Sequence, residues 1–186
     1  CLDMIGPLGN GFDLRGAAKD KRKVLLVAGG MGVAPLLFLA ERLIASSKSK
    51  AKPIILIGAK SKSHIVCANE FRKMGCDVKI ATDDGSAAFK GYVTDLLKKV
   101  LPLAISDTCF SPGKERLTIY ACGPKPMLKK ISELCARLKV SVQLSLEEHM
   151  ACGIGACLGC IVDTVHGYKR VCKEGPVFDA SDIIWE

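Results

Sequence analysis

Aromatic residues are scarce, at 5% of the 186-residue chain, with one Trp, three Tyr and six Phe. That scarcity leaves no stacking platform for nucleic acid, although Lys and Arg outnumber Asp and Glu by 27 to 19 and the formal net charge is +8. The lysines are also dispersed, over Lys19 to Lys23, Lys48 to Lys62, Lys98 to Lys99 and Lys129 to Lys139, as on solvated helix faces, so no nucleic-acid partner is expected. Long apolar runs are lacking as well. The uncharged stretch from Val24 to Ala40 is shorter than the roughly 20 residues a membrane helix needs. Gly29, Gly30, Gly32 and Pro35 interrupt it, so a buried strand, turn and helix fit better and no membrane span is expected. No secretory signal is expected from these residues, and no internal repeat is visible in them. Ten cysteines without an export signal point to a reducing, cytoplasmic setting, where clustered thiols mean metal or redox chemistry more often than disulfides.

What is present suffices for one core and a small appendage: 49% of residues are hydrophobic and 25% charged. The opening residues, from Leu2 to Gly9, read as the end of a strand followed by a Gly/Pro turn, with nothing before the strand for it to pair with. They are expected to be the remnant of an upstream domain. Apolar runs of strand length follow at Val24 to Ala28, Pro53 to Gly58, Val78 to Thr82, Leu117 to Ala121 and Val140 to Leu144, the last expected to close the sheet. Helical patterns lie between them. Leu36 to Ile44 is one, and Pro124 opens another, whose Met127, Leu128, Ile131, Leu134, Cys135 and Leu138 recur every three or four residues and form one buried stripe. The segment from Leu101 to Lys114 holds Pro102 and Pro112 without a period and reads as a loop. Strands that alternate with helices and are apolar on both faces predict an α/β fold with a parallel sheet, whose ligands belong at the carboxyl ends of the strands.

Three turns fall at that edge. Gly29-Gly30-Met31-Gly32-Val33-Ala34-Pro35 follows the first strand, where glycines let backbone amides and a helix start approach a pyrophosphate; Pro35 stands where the usual fingerprint has a third glycine. The alternative is a tight structural turn. Asp83 and Asp84 follow the third strand, where carboxylates would accept ribose hydroxyls and repel a 2′-phosphate, favouring NAD; an ordinary Asp/Gly turn reads as well, and Lys60 and Lys62 nearby could attract a phosphate. Cys122-Gly123-Pro124 ends the fourth strand and would let a flat ring come close, or be only a small buried turn.

Cys152, Cys157 and Cys160 give C-x4-C-x2-C, and Cys172 adds a distant fourth thiol. This is the plant-type [2Fe-2S] spacing, and Gly153, Gly155 and Gly159 let the loop wrap around sulfide with its amides inward. Structural zinc, the alternative, more often uses two C-x2-C pairs. Cys1, Cys67, Cys76, Cys109 and Cys135 lack ligand spacing and read as small core residues.

Taken together, Gly6-Pro7-Leu8-Gly9-Asn10-Gly11-Phe12, Gly29 to Pro35, Asp83 to Ser86, Ala121 to Pro124, Ser145 to Cys160 and Lys169 to Asp179 resemble a known family. It is that of the electron-transfer subunits of the heteromeric, NAD-dependent class 1B dihydroorotate dehydrogenases, which are ferredoxin-NADP-reductase-like proteins with a C-terminal [2Fe-2S] module. The resemblance implies a flavin-binding β-barrel upstream, whose Arg-x-Tyr-Ser motif for FAD is absent from this chain. It also implies an FMN-bearing catalytic partner, in a heterotetramer. NADP-using relatives carry Ser-Arg near Asp83-Asp84, which supports NAD. Electrons would pass from FMN through the cluster to FAD and then to NAD+, with no catalytic side chain in this chain. The expected division is a barrel remnant and linker at 1–20, an NAD-binding α/β domain at 21–145 and a cluster module at 146–186. A ferredoxin-dependent NAD(P)H transhydrogenase subunit is the nearest rival, and a zinc-stapled binding domain the rival from another class.

Overall fold

A computed structural model describes residues 6–15, 23–46, 52–106 and 117–185. Cys1, Cys109, the start of the N-terminal strand, the basic linker up to Arg22 and the second half of the 101–114 loop lie outside the described residues. In chain order the elements are β1 (Lys23–Gly29), α1 (Val33–Ser46), β2 (Ile54–Ala59), α2 (Ala68–Lys73), β3 (Asp77–Thr82), β4 (Phe89–Lys90), α3 (Val93–Ser106), β5 (Leu117–Cys122), α4 (Lys125–Leu138), β6 (Ser141–Ser145), β7 (Ile161–Val162), β8 (Lys169–Arg170) and β9 (Val177–Asp179). One-turn 3₁₀ segments at Gly30–Gly32 and Lys62–His64 join β1 to α1 and follow β2.

The side chains of β1 show why its run is apolar throughout. Leu25 and Val27 enter a core built with Leu97, Val100 and Leu101 of α3 and Leu128, Ile131 and Cys135 of α4. Leu26 and Ala28, on alternate positions, enter a second core with Leu36, Leu39 and Leu43 of α1 and Phe71 of α2. Helices therefore cover both faces, and the strands pair in parallel in the order β4-β3-β2-β1-β5-β6. The order reverses beside β1, and the crevice for a ligand opens between the carboxyl ends of β1 and β5.

Three expectations are corrected. Val140 to Leu144 does not close the sheet, because β9 pairs antiparallel on the outer side of β6, with Gln143 opposite Asp179 and Ser145 opposite Val177. Residues 101 to 106 are helical rather than looped: Leu97, Val100, Leu101 and Ala104 form a buried stripe whose packing outweighs the hydrogen bond that Pro102 removes, a cost of about 3 kcal/mol in a helix interior. Leu138 is 45% exposed, because α4 ends there and Lys139 turns the backbone left-handed at φ 53°. Among the cysteines without ligand spacing, Cys76 and Cys135 are buried and Cys67 is half-buried. Burial pushes the Cys135 thiol up to about 12.

The segment from Gly6 to Arg15 lies across the sheet edge. The Phe12 ring meets Tyr120 edge-on at 5.4 Å, and the Tyr120 hydroxyl donates to the Asp13 carbonyl at 2.9 Å. The Asp13 amide donates to Gln143 Oε1 at 2.8 Å, and Asn10 Nδ2 donates to the Glu174 carbonyl at 2.9 Å.

Burial raises the Asp179 carboxyl, and Asp182 and Asp13 add repulsion. With its folded pKa above the unfolded one, ionised Asp179 opposes folding above that pKa, and the penalty vanishes as pH falls toward the ordinary 3.8. Asp179→Asn is therefore expected to raise Tm by about 1–2 °C at neutral pH, after discounting for solvent screening. Thermal melts across pH check this, because the gain must fade on acidification.

Candidate functional site

A cleft of about 500 Å³ opens at the carboxyl edge of the sheet. Gly29 and Gly30 form one wall with Gly58 and Ala59 at the end of β2 and Lys60 after it; Asp83 follows β3, Tyr92 to Thr94 open α3, and Pro124, Pro126 and Met127 open α4. Of the residues expected at a nucleotide site, Gly29, Gly30, Asp83 and Pro124 line this cleft. The remaining five do not. Gly32 lies behind the wall, where a Cβ would stand 2.3 Å from the Cys122 carbonyl oxygen, so glycine is required for β1 and β5 to end side by side. Pro35 is exposed in the first turn of α1, Cys122 is buried in the sheet, and Gly123 packs against the Met127 methyl and the Gly29 backbone. Asp84 is folded back on its own turn, accepting from Ser86 Oγ at 2.6 Å and from the Ser86 amide at 2.9 Å, which hold its carboxyl below the usual range. Ser86 Oγ in turn accepts from the Lys62 amide at 2.7 Å, stitching the β3 turn to the β2 loop.

Sequence reasoning missed His64, Tyr92, Thr94, Met127 and Lys130 as lining residues. Tyr92 is 59% exposed, and Lys130 Nζ sits 5.5 Å from its ring centroid. The available signal was position: Tyr92 and Met127 begin the helices that follow β4 and β5, at the edge where such sheets bind ligands. Glycine walls, an aromatic face, two lysines and one free carboxylate suit a dinucleotide's pyrophosphate, base and ribose.

The second site is the loop from Met150 to Cys160 and the turn after β8. Amides of Ala156 and Cys157 donate to Cys152 Sγ at 3.3 and 3.4 Å, that of Gly159 to Cys157 Sγ at 3.4 Å, and that of Cys172 to Cys160 Sγ at 3.4 Å. The Cys157 amide foremost, with that of Ile154, brings the Cys152 thiol down to about 6. Burial first, then Cys160, pushes Cys172 up. Gly155 at φ 82° and Leu158 at φ 59° bend the loop, the latter at a left-handed geometry that a leucine adopts only under constraint. Cys160 and Cys172 belong to the core under α3 and α4, Cys152 is half-buried and Cys157 is exposed.

The four cysteines stand as two pairs, each joined by an amide-to-sulfur bond, Cys157 N–H to Cys152 Sγ and Cys172 N–H to Cys160 Sγ. Among the described residues no three His, Cys, Asp or Glu side chains are disposed to hold one metal ion. Two pairs, with amides turned onto the sulfurs, fit a two-iron cluster better than a single zinc ion. No helix among the described residues is long and apolar enough to cross a membrane.

Comparison with known proteins bears on both sites. The oxidoreductase NAD-binding domain family matches residues 26–133, and the family described as the iron-sulfur cluster binding domain of dihydroorotate dehydrogenase B matches 147–184. The electron transfer subunit of dihydroorotate dehydrogenase B (NAD(+)) from Desulforamulus reducens is 40% identical over 189 residues, covering 100% of this chain and 66% of its own. Its counterpart from Clostridium perfringens is 41% identical over 182 residues, covering 98% and 66%. The chain thus spans 66% of the length of these curated relatives. A solved structure of the NADH-dependent reduced ferredoxin-NADP oxidoreductase, a subject of flavin-based electron bifurcation, superposes with a TM-score of 0.77 and 30% identity over 99% of this chain and 60% of that one.

Proposed function

From a chain that belongs to the oxidoreductase NAD-binding domain family and carries the iron-sulfur cluster binding domain of dihydroorotate dehydrogenase B, we propose that it serves as the electron-transfer subunit of such an enzyme. Its partner is an FMN-bearing catalytic subunit, in a cytoplasmic heterotetramer. The bound cofactors supply the redox chemistry: a [2Fe-2S] cluster and FAD carry electrons from the partner's FMN to NAD+. We divide the chain into an NAD-binding domain at 21–145 and a cluster module at 146–186, with 1–20 as the end of a flavin barrel and its linker.

Cys152, Cys157, Cys160 and Cys172 hold the iron. The observation that carries this reading is the set of four backbone N–H donors aimed at cysteine sulfurs, since such donors stabilise thiolates. At the sheet edge, Gly29 and Gly30 let the pyrophosphate approach the backbone, with Gly32 and Pro35 shaping the turn behind them. Asp83 accepts the ribose hydroxyls, and Asp84 holds the turn that presents it. Pro124 and Met127 form the bed for the nicotinamide ring, with Cys122 and Gly123 packed behind them as its support.

Two measurements test the reading. Copurification of the polypeptide that carries this chain with a dihydroorotate dehydrogenase catalytic subunit is expected, together with dihydroorotate-dependent NAD+ reduction. Ferredoxin-dependent reduction of NADP+ in its place would establish the transhydrogenase reading, which the 30% identical solved structure keeps in view. For the nucleotide, titration by NADH and NADPH fluorescence is expected to favour NADH, and Asp83→Asn to narrow the preference about tenfold, as loss of a charged hydrogen-bond acceptor does. An unchanged ratio would remove Asp83 from the site.

A further inference from the structure

Arg170, in β8, stands two residues before Cys172 and pairs with Ile161, the neighbour of Cys160. Its Nη1 donates to the Gly155 carbonyl at 2.9 Å, inside the cluster loop, while Nε donates to Glu174 Oε2 at 3.0 Å and Nη2 to Glu174 Oε1. The Arg170 amide also donates to Glu174 Oε2 at 2.8 Å, and the Glu174 amide donates back to the Arg170 carbonyl at 2.8 Å. The Arg170 side chain is 28% exposed, and its guanidinium is held by Gly155 and by both carboxylate oxygens of Glu174. Its strand leads into Cys172 and faces the residue after Cys160, and its guanidinium is bonded into the loop that bears Cys152 and Cys157, so its charge is fixed at the cysteine site. The same knot continues through the Glu174 carbonyl to Asn10 Nδ2, and so to the segment that crosses the sheet edge.

Resting on the reading that the four cysteines hold a [2Fe-2S] cluster, we infer that Arg170 is a positioning residue for that cluster. It fastens the free limb of the loop through Gly155 and keeps one positive charge at the cysteine site, while Glu174 holds it there. Two consequences separate. The bond to Gly155 governs how firmly iron is retained. The charge governs potential, because a cation next to the cluster favours the reduced, more negative form. A lysine keeps the charge and loses the fork; a methionine loses both.

The test uses the whole chain, anaerobically reconstituted with iron and sulfide, as wild type, R170K, R170M and E174Q. Iron loss to a chelator and the midpoint potential from a dithionite titration followed by electron paramagnetic resonance are read for each. R170M and R170K are expected to release iron about tenfold faster, as loss of one charge-assisted hydrogen bond implies. R170M is expected to shift the potential negative, E174Q to shift it positive, and R170K to stay near wild type. A merely structural role would move R170M and E174Q the same way, and that result, or potentials indistinguishable from wild type, overturns the inference. Should R170M fail to load, R170K and E174Q decide it by the same criteria. If wild type itself takes up no cluster, the proposed function falls together with this inference; if wild type loads and the variants match it, only the inference falls.

Discussion

Cys157→Ser is expected to yield a folded chain with no two-iron centre. Cys157 is the exposed member of the four, and its side chain supports no core, so its replacement leaves packing untouched. Serine keeps the size but has no thiolate to offer iron. Iron content after anaerobic reconstitution should fall from about two ions per chain to background, with the visible absorption and the reduced-state paramagnetic signal lost together. Melting temperature before reconstitution and NADH affinity should match wild type. Cys135→Ser is the counterpart: that residue is buried at 1% exposure in α4, so a hydroxyl there costs roughly 1–3 kcal/mol while iron uptake persists. A Cys157→Ser chain that still binds two irons with an unchanged spectrum would end the four-cysteine assignment.

Gly32→Ala is expected to produce the largest loss of stability. The added Cβ would sit 2.3 Å from the Cys122 carbonyl oxygen, 2.4 Å from its carbon and 2.7 Å from the Gly123 nitrogen, all backbone atoms. No rotamer change relieves such a contact, so β1 and β5 must separate at their carboxyl ends, at a cost of about 3 kcal/mol or more. The crevice between them should lose its shape, and NADH binding with it. Gly29→Ala offers the contrast. Its Cβ would meet Met127 Sδ at 2.5 Å, the far end of a flexible side chain that can swing away into the cleft, and Pro124 Cδ at 3.0 Å, which needs a shift of only a few tenths of an ångström. That variant is expected to remain stable while binding NADH more weakly, because the displaced thioether takes the nucleotide's space. Urea denaturation and fluorescence titration of both variants check the pair.

How much of this could be read from the residues depended on how local the cause was. β1, β2 and β5 were legible because strands buried on both faces are almost wholly apolar, β3 from the shorter run around Val78, Ile80 and Ala81, and α4 because its stripe repeats at helical spacing. The cysteine loop was legible for the same reason, its ligand spacing being contained in nine residues from Cys152 to Cys160. Pro102 misled because its local signal is strong, whereas the burial of Leu101 and Ala104 depends on strands far away in sequence. β9 is three residues long and owes its existence to the edge of β6, so no pattern within Val177 to Asp179 announces it. Asp83 and Asp84 are indistinguishable on paper; only the hydroxyl of Ser86, which claims one of them, leaves the other open to the cleft.

The pairing of β9 with β6 bears on how such a protein can be taken apart. Cleaving the chain ahead of β9 would leave the backbone of β6 bare along a strand that carries Val142 and Leu144, both otherwise buried. An uncovered, apolar border of this sort recruits strands from other molecules, so preparations lacking the C-terminal tail should precipitate or form higher oligomers instead of persisting as tidy nucleotide-binding monomers.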